Sequence, residues 1–342
     1  MKVAKLYSFT DIRIENIPVP QIGPRDALIR TRACGICSGD VMPWYIEKKA
    51  PLVIGHEPSG EIVELGKEVS GLFKKGNRVF VHHHAPCMSC RCCERGDHVH
   101  CETWRATKII PGGVSEYILI PETNLCHDTL KLPETVSFED ATLVEPSACV
   151  VKSLKRARIK KGDTVLVIGL GIMGQMHVLL AKEFGAKQII AADMVPFRLN
   201  KAREFGADHV IDVSKEDLAG QVKELTEGRM ADLVIVGPNS VKAMEQGIKT
   251  AAHGGTVLLF TPAKPGEVLT MDPNELYFKD ISLITSYSCG PDDTRDALKL
   301  IERGFITAEK LVTHRFPITE TGQAYRTTAE ARDSLKCLIA FG

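Results

Sequence analysis

Two hydrophobic rhythms divide the chain. Up to about residue 145, apolar residues come in short alternating runs at 27–31, 60–65 and 78–81, bounded by Gly and Pro. A period of two marks half-buried strands, so this region is predicted to be β-rich. From about 150 the pattern changes. Strands are predicted at 164–168 (TVLVI), 188–192, 209–211, 233–236 and 256–260, with helices at 172–184, 196–205, 215–226 and 241–252 between them. Strands alternating with helices form βαβ units around a buried parallel sheet. After about 286 one more helix, 293–303, precedes strand-like pieces running to the C-terminus. No internal repeat or low-complexity linker interrupts the pattern. The predicted class is α/β, and 342 residues suit about two domains of roughly 150 residues each.

Charge and composition remove several function classes. Lys+Arg and Asp+Glu each total 43, so the net charge is +0 and no global basic bias calls for nucleic acid or an anionic membrane. The cationic stretch 152–161 is short and reads as a solvated face. The N-terminal MKVAKLYSFTDIRIENIPVP has no apolar signal region, and no run of about 18 apolar residues occurs. A cytoplasmic protein with no membrane span is the expectation. Eleven cysteines do not overturn it, because they cluster at metal-ligand spacing rather than spreading as a disulfide framework.

That cluster is Cys87-x2-Cys90-x2-Cys93-x7-Cys101. Four thiolates so spaced can close a tetrahedron around one zinc ion, and a closed all-sulfur site is structural rather than catalytic. Cys92 lies inside the ladder but outside its rhythm. Of the remaining cysteines, Cys34, Cys126, Cys149, Cys289 and Cys337 are expected to include several buried small hydrophobes.

Downstream lies Gly169-Leu170-Gly171-Ile172-Met173-Gly174, which follows an apolar strand and opens a helix at Ile172 and Met173. In that context the fingerprint reads as a dinucleotide cradle. Gly169 permits the tight turn, Gly171 lets the backbone approach a pyrophosphate, and Gly174 packs helix on strand. The helix N-terminus favours the anion. Asp193, 19 residues after Gly174, can accept hydrogen bonds from ribose hydroxyls and would repel a 2′-phosphate, which points to NAD. Arg198 is close enough to contact adenine or ribose.

Upstream, Cys37 lies in Cys34-Gly-Ile-Cys-Ser-Gly-Asp40, and His56 and Glu57 lie in Gly55-His-Glu-Pro-Ser-Gly60. Thiolate, imidazole and carboxylate are zinc ligands, and three of them leave a position open. Together with the ladder, the cradle and their order, these motifs make nearly the whole chain resemble the zinc-dependent medium-chain alcohol dehydrogenases, in particular the polyol (sorbitol) and threonine branch. The run Leu143-Val-Glu145-Pro146 resembles that branch's Glu-Pro motif. The resemblance implies a GroES-like catalytic domain at 1–147, with a zinc lobe at about 86–102. It implies an NAD-binding Rossmann domain at 148–286, and a return to the catalytic domain at 287–342, with the active site in the cleft. Cys37, His56 and Glu57 would bind catalytic zinc, and Glu145 would be an exchangeable ligand or hold the zinc-bound water. Cys149 is offset by four from the position where classical alcohol dehydrogenases place a second Cys.

Two positions depart from the family pattern. Ser38 then Gly39 reverses the usual order of glycine and hydroxyl, and Met42 stands where polyol and threonine enzymes often carry His. The proton is then expected to leave through Ser38, Glu57, Glu145 or water. Trp44, Tyr45, Trp104 and Thr107 fall where the family lines its substrate pocket, and His83 is placed near substrate by the same resemblance. Three successive His on a strand, His82-His83-His84, would point to alternate faces and could not all share one ion. Arg105 and Lys108 could meet a phosphate on a sugar phosphate, though a solvated loop is the simpler reading.

The resulting expectation is an NAD-dependent enzyme with two zinc ions per chain. It would act on a small-molecule alcohol or ketone, the secondary alcohol of a polyol, sugar or cyclitol, and assemble as a homo-oligomer, tetramer or dimer. The alternatives are oxidation of an amino alcohol such as L-threonine, or a catalytically silent zinc and NAD redox sensor.

Overall fold

A computed structural model describes residues 1–69 and 71–342. The chain forms two compact units, Met1–Ala148 with Ser288–Gly342, and Cys149–Tyr287.

The first unit is built on a seven-stranded sheet. Its order is Val312–Pro317, Lys336–Ala340, Ala27–Gly35, Glu57–Leu65, Arg78–Val81 and Thr129–Lys131, with Tyr117–Ile120 also paired to Ala27–Gly35. A three-stranded sheet of Asp11–Asn16, Lys2–Ser8 and Leu52–Val53 stands beside it. Alternating apolar residues face inward, so Ala27, Ile29, Ile62, Val79, Val81, Ile118 and Ile120 form one core cluster. The C-terminal strand pairs antiparallel with Ala27–Gly35, setting Leu338 opposite Gly35. Gly35 also pairs with Glu57. This register brings the C-terminal strand to the Cys37 turn, where the Ile36 N–H bonds the Cys337 carbonyl.

The second unit is a six-stranded parallel sheet in the order His209–Asp212, Gln188–Asp193, Thr164–Ile168, Ala231–Val236, Ala251–Leu259, Ser282–Thr285. Val165, Leu166 and Val167 are fully buried, as a strand covered on both faces requires. The helix Val241–Lys249 turns Ala243, Met244, Gly247 and Ile248 inward, and Ser240 caps its start by accepting from the Ala243 N–H at 3.4 Å. A Cβ on Gly247 would come within 2.6 Å of Val236, so this helix packs closely on the sheet. The strand order reverses at Thr164–Ile168, which creates a crevice at the carboxyl ends of the strands.

Several elements differ from expectation. Residues 251 and 252, expected to end a helix, begin the strand Ala251–Leu259. The helices Val144–Ala157 and Pro273–Lys279 and the edge strand Ser282–Thr285 add to the predicted set. The C-terminal region contains the helix Thr321–Glu330 as well as strands. Its sequence, TGQAYRTTAE, buries only Thr321, Ala324 and Tyr325 and so carries little apolar periodicity. Among the described residues, no helix is long and apolar enough to cross a membrane.

One buried polar pair in the second unit yields a stability prediction. His177 is 1% exposed. Its Nδ1 lies 2.8 Å from the Met173 carbonyl, and its Nε2 lies 2.9 Å from Ser153 Oγ. Burial pushes its pKa down to about 4. The folded imidazole stays neutral while the unfolded one protonates near its ordinary 6.5. Its stabilisation is therefore complete above about pH 6.5 and is lost as pH falls toward about 4, by about 3 kcal/mol at the limit. His177→Gln is expected to flatten that acid limb in urea unfolding at about pH 7 and about pH 4.5. An unchanged difference between the two pH values would exclude this account.

Candidate active site

The four ladder cysteines converge, with one sulfur of each within 4.8 Å of the others. The Cys90 to Cys93 and Cys87 to Cys101 sulfurs are 3.6 Å apart, and Cys87 to Cys93 is 4.0 Å. A tetrahedron with Zn–S bonds of about 2.3 Å has edges of about 3.8 Å, so this donor set fits zinc. Cys92 lies outside the group of four. Trp104 is 2% exposed and packs with Cys93, Val99 and Cys101 as the lobe's core. Thr107 ties the lobe down, donating to the Ala85 carbonyl at 3.0 Å and accepting from its N–H at 2.9 Å. Trp104 and Thr107, expected to line a substrate pocket, thus brace the zinc lobe.

Cys37, His56 and Glu57 also bring one donor atom each within 4.8 Å of one another. Cys37 ends the turn after the Ala27–Gly35 strand and caps the short 3-10 helix Ser38–Val41, its sulfur accepting the Gly39 N–H at 3.3 Å. Gly39, in the place the family gives a hydroxyl, thus uses its backbone on the ligand itself. Ser38 is exposed beside it. Glu57 is the first residue of the Glu57–Leu65 strand and is fully buried. Its Oε1 has no hydrogen-bond partner. A buried carboxylate oxygen left unpaired is costly unless a cation completes it, so this set too fits zinc.

Two partners behind these ligands were not foreseen. Asp40, 4% exposed, lies 3.0 Å from His56 Nδ1. Burial works against the charged imidazole, but Asp40 and Cys37 outweigh it and hold the His56 pKa well above its usual value. In a metal-loaded site the same carboxylate would fix the tautomer and leave Nε2 as the donor for the ion. Lys336 forms a buried ion pair with Glu57 and donates to the Ile36 carbonyl at 3.0 Å. Burial opposes the Lys336 ammonium, and Glu57 outweighs it, so its pKa is raised. Gly35 makes room for the pair, because a Cβ there would strike Glu57 Oε2 and lie 2.8 Å from Lys336 Cε.

The histidine triplet lies just past the Arg78–Val81 strand, not within it, so strict alternation does not govern it. His82 is fully buried, with Nδ1 2.6 Å from Asp128 Oδ2. His83 lies beside His56, ring centroids 4.8 Å apart, and burial followed by repulsion from His56 pushes its pKa well below the usual value. His84 bonds the Thr107 carbonyl at 2.6 Å and packs at a tilt on Trp104, ring centroids 4.3 Å apart. Glu145, in the Val144–Ala157 helix, is 6% exposed and brings a carboxylate oxygen within 4.8 Å of donor atoms of His82 and His83. Trp44 and Tyr45 are half-buried in the short helix Pro43–Ile46, with their rings 5.9 Å apart.

In the second unit the glycine fingerprint occupies the switch point. Gly169 has φ +85°, in the left-handed region, and a Cβ there would come within 2.6 Å of Pro238. A Cβ on Gly171 would meet nothing, so the backbone faces open space where a pyrophosphate could approach. A Cβ on Gly174 would strike the Gly169 carbonyl. The helix Ile172–Ala181 opens directly after the turn. Asp193 ends its strand 6% exposed, accepting N–H bonds from Leu170, Met194 and Val195 at 2.7, 2.7 and 2.9 Å. Arg198 Nη1 lies 3.6 Å from the same carboxylate. Gln175, also unforeseen, braces the loop by donating to the Leu170 and Arg198 carbonyls at 3.0 and 2.8 Å.

Comparison with known proteins agrees with this geometry. Residues 23–134 match the alcohol dehydrogenase GroES-like domain, and residues 173–303 match the zinc-binding dehydrogenase domain. Sorbitol dehydrogenase of Bacillus subtilis (strain 168) is 28% identical, over 99% of this chain and 97% of its own. L-threonine 3-dehydrogenase of Rhizobium etli is 33% identical, over 90% of this chain and 89% of its own. The crystal structure of 2R,3R-butanediol dehydrogenase from Bacillus subtilis aligns with a TM-score of 0.88 at 26% identity, covering 100% and 99% of the two chains. With both domains matched and a relative at that identity spanning most of the chain, the protein belongs to the zinc-binding alcohol dehydrogenase family, in its polyol and threonine dehydrogenase branch.

Proposed function

We propose that the protein is an NAD-dependent dehydrogenase with two zinc ions per chain, acting on the secondary alcohol of a polyol, sugar or cyclitol. The observation that carries this reading is the Cys37, His56 and Glu57 donor set, with Asp40 placed behind the imidazole. These three residues would hold the catalytic ion, and Cys87, Cys90, Cys93 and Cys101 the structural one. Zinc at the first site supplies Lewis-acid polarisation of the alcohol oxygen, and a bound nicotinamide supplies the hydride acceptor. Asp40 orients His56, and Lys336 anchors Glu57. Ser38, exposed next to Cys37, is the hydroxyl available to carry the alcohol proton to solvent. Three backbone N–H bonds pin the Asp193 carboxylate and leave it acceptor capacity for a ribose hydroxyl, which favours NAD over NADP.

The same reading includes a homo-oligomer in a reducing cytoplasm. Among the described residues the edge strand Ser282–Thr285 is paired only with Ala251–Leu259, and Val268, Tyr277 and Phe278 of the same unit are 77%, 79% and 74% exposed. An open edge and exposed large apolar groups suit a contact with a second copy. Among the described residues no two cysteines form a disulfide, which suits a reducing compartment.

Nicotinamide reduction against polyols, sugars, sugar phosphates, cyclitols, simple secondary alcohols and L-threonine tests the proposal. Each substrate is run with NAD and NADP, with and without a zinc chelator. The expected result is a chelator-sensitive signal that prefers NAD and a polyol-type substrate. Chelator-insensitive turnover, or turnover confined to L-threonine, would overturn it.

A further inference from the structure

Two lysines without ion-pair partners stand at the edge of the Cys37 set. Three short helices follow Cys37 in close succession, Ser38–Val41, Pro43–Ile46 and Glu47–Lys49. Ile46 is 2% exposed and shares a core cluster with Cys34 and Ile36, which anchors this segment beside the Cys37 turn. Lys49, its last residue, is exposed, and its ammonium lies 3.9 Å from the centre of the Tyr45 ring. Such a cation–π contact holds the long side chain over the aromatic face. The charge acts inside the site. Burial works against the Asp40 carboxylate, but His56 and then Lys49 outweigh it and lower its pKa. At His83, Lys49 adds repulsion to burial and to the three neighbouring imidazoles. The second cation, Lys108, is exposed and follows Thr107, whose carbonyl holds His84 Nδ1 at 2.6 Å. Burial pushes the His84 pKa down to about 4 against that bond, and Lys108 adds repulsion. The His56, His83 and His84 rings lie in succession, centroids 4.8 and 4.1 Å apart, so both lysines act on one short row. Among the described residues neither lysine forms an ion pair, whereas Lys5, Arg13, Arg25 and Arg315 of the same unit each do. Glu47, the acid nearest Lys49 in sequence, is turned to the Phe9 N–H at 2.9 Å. Arg105 is turned to His100 at 3.4 Å.

We propose that Lys49, with Lys108, selects an alcohol whose molecule also carries an anionic group, a carboxylate or a phosphate. The inference deepens the dehydrogenase reading and rests on it. Unpaired ammonium groups around a site raise the local concentration of anions and disfavour cations, so the complement of this edge is negative. A polyol acid or a polyol phosphate meets both demands, with a hydroxyl for the Cys37 set and a charge for the lysines. An amino alcohol would bring a cation to the same edge.

The test reads a ratio. Zinc-loaded protein is given D-gluconate, sorbitol 6-phosphate or sorbitol, and both kcat/KM and calorimetric binding are measured at low and moderate salt. At least one anion should be preferred over sorbitol by about tenfold, the scale of a charge-assisted hydrogen bond discounted for exposure, and salt should shrink that preference. Which anion wins distinguishes carboxylate from phosphate. Lys49→Met should bring the ratio close to one, chiefly through KM. Lys49→Arg should keep most of it, and Lys108→Met should lower it less. A lysine that only packs on Tyr45 would move charged and neutral ligands together and leave the ratio where it was, and that outcome overturns the proposal. So does wild-type protein that binds sorbitol as well as either anion, or binds none of the three. Binding that favours an anion without turnover keeps Lys49 as the anion-reading residue and sinks the dehydrogenase reading. Turnover of sorbitol with no anion preference does the reverse.

Discussion

Replacing Cys37 with Ser is expected to lower kcat/KM by at least about 10³-fold while the fold survives. A serine hydroxyl stays protonated near neutrality and is a poor zinc ligand, whereas the thiolate is a strong one. Losing the Lewis acid forfeits several kcal/mol of transition-state stabilisation, and each 1.36 kcal/mol is about tenfold in rate. The local structure tolerates the change. Cys37 caps the Ser38–Val41 turn by accepting the Gly39 N–H at 3.3 Å, and a serine oxygen can accept the same bond. Zinc in dialysed protein should fall by one ion per chain, with thermal stability near that of the wild type after chelation. Full activity in this variant would refute the assignment of the catalytic ion to Cys37, His56 and Glu57.

The candidate ligands could be named from the chain, and the groups packed behind them could not, for a physical reason. Cys87, Cys90, Cys93 and Cys101 announce themselves because close spacing alone confines four sulfurs to one small volume. Gly169, Gly171 and Gly174 are legible because a strand, a turn and a helix succeed one another locally. Cys37, His56 and Glu57 are singly unremarkable and gain meaning from the family resemblance. Asp40, Asp128 and Lys336 have no such signal. Asp40 meets His56 through a turn whose shape depends on the 3-10 helix after Cys37. His82 meets Asp128 across 46 residues of sequence. Lys336 reaches Ile36 and Glu57 only because the last strand pairs with the Ala27–Gly35 strand. Tertiary register creates these contacts, and register is set by the whole sheet. The histidine triplet shows the converse failure. Assigning it to a strand forced alternation, whereas the strand ends at Val81 and leaves His82 and His83 able to converge with Glu145.

Lys336→Met is expected to destabilise the metal-free protein by about 3–5 kcal/mol, the usual cost of removing one partner of a buried ion pair. Lys336 and Glu57 are 1% and 0% exposed, so solvent does little to screen either charge. Methionine matches the length of the lysine stem but leaves the Glu57 carboxylate and the Ile36 carbonyl without the ammonium. Burial already pushes the Glu57 pKa up even with Lys336 opposing it, and losing Lys336 raises it further. An acid whose folded pKa is raised is fully accommodated below its unfolded value near 4.5 and costs stability as pH climbs through the folded value. The deficit of Lys336→Met should therefore be large at neutral pH and shrink toward about pH 4.5. Adding Glu57→Gln removes the buried charge, so the double variant should recover most of the loss. Zinc offers Glu57 a second counter-charge, so the deficit should also be smaller in zinc-loaded protein than after chelation. Urea unfolding of the two single variants and the double variant, at two pH values and with and without zinc, measures all three effects. A deficit independent of pH, of zinc and of Glu57 would mean that Lys336 acts by packing its stem, and that the pair does not hold the ligand in place.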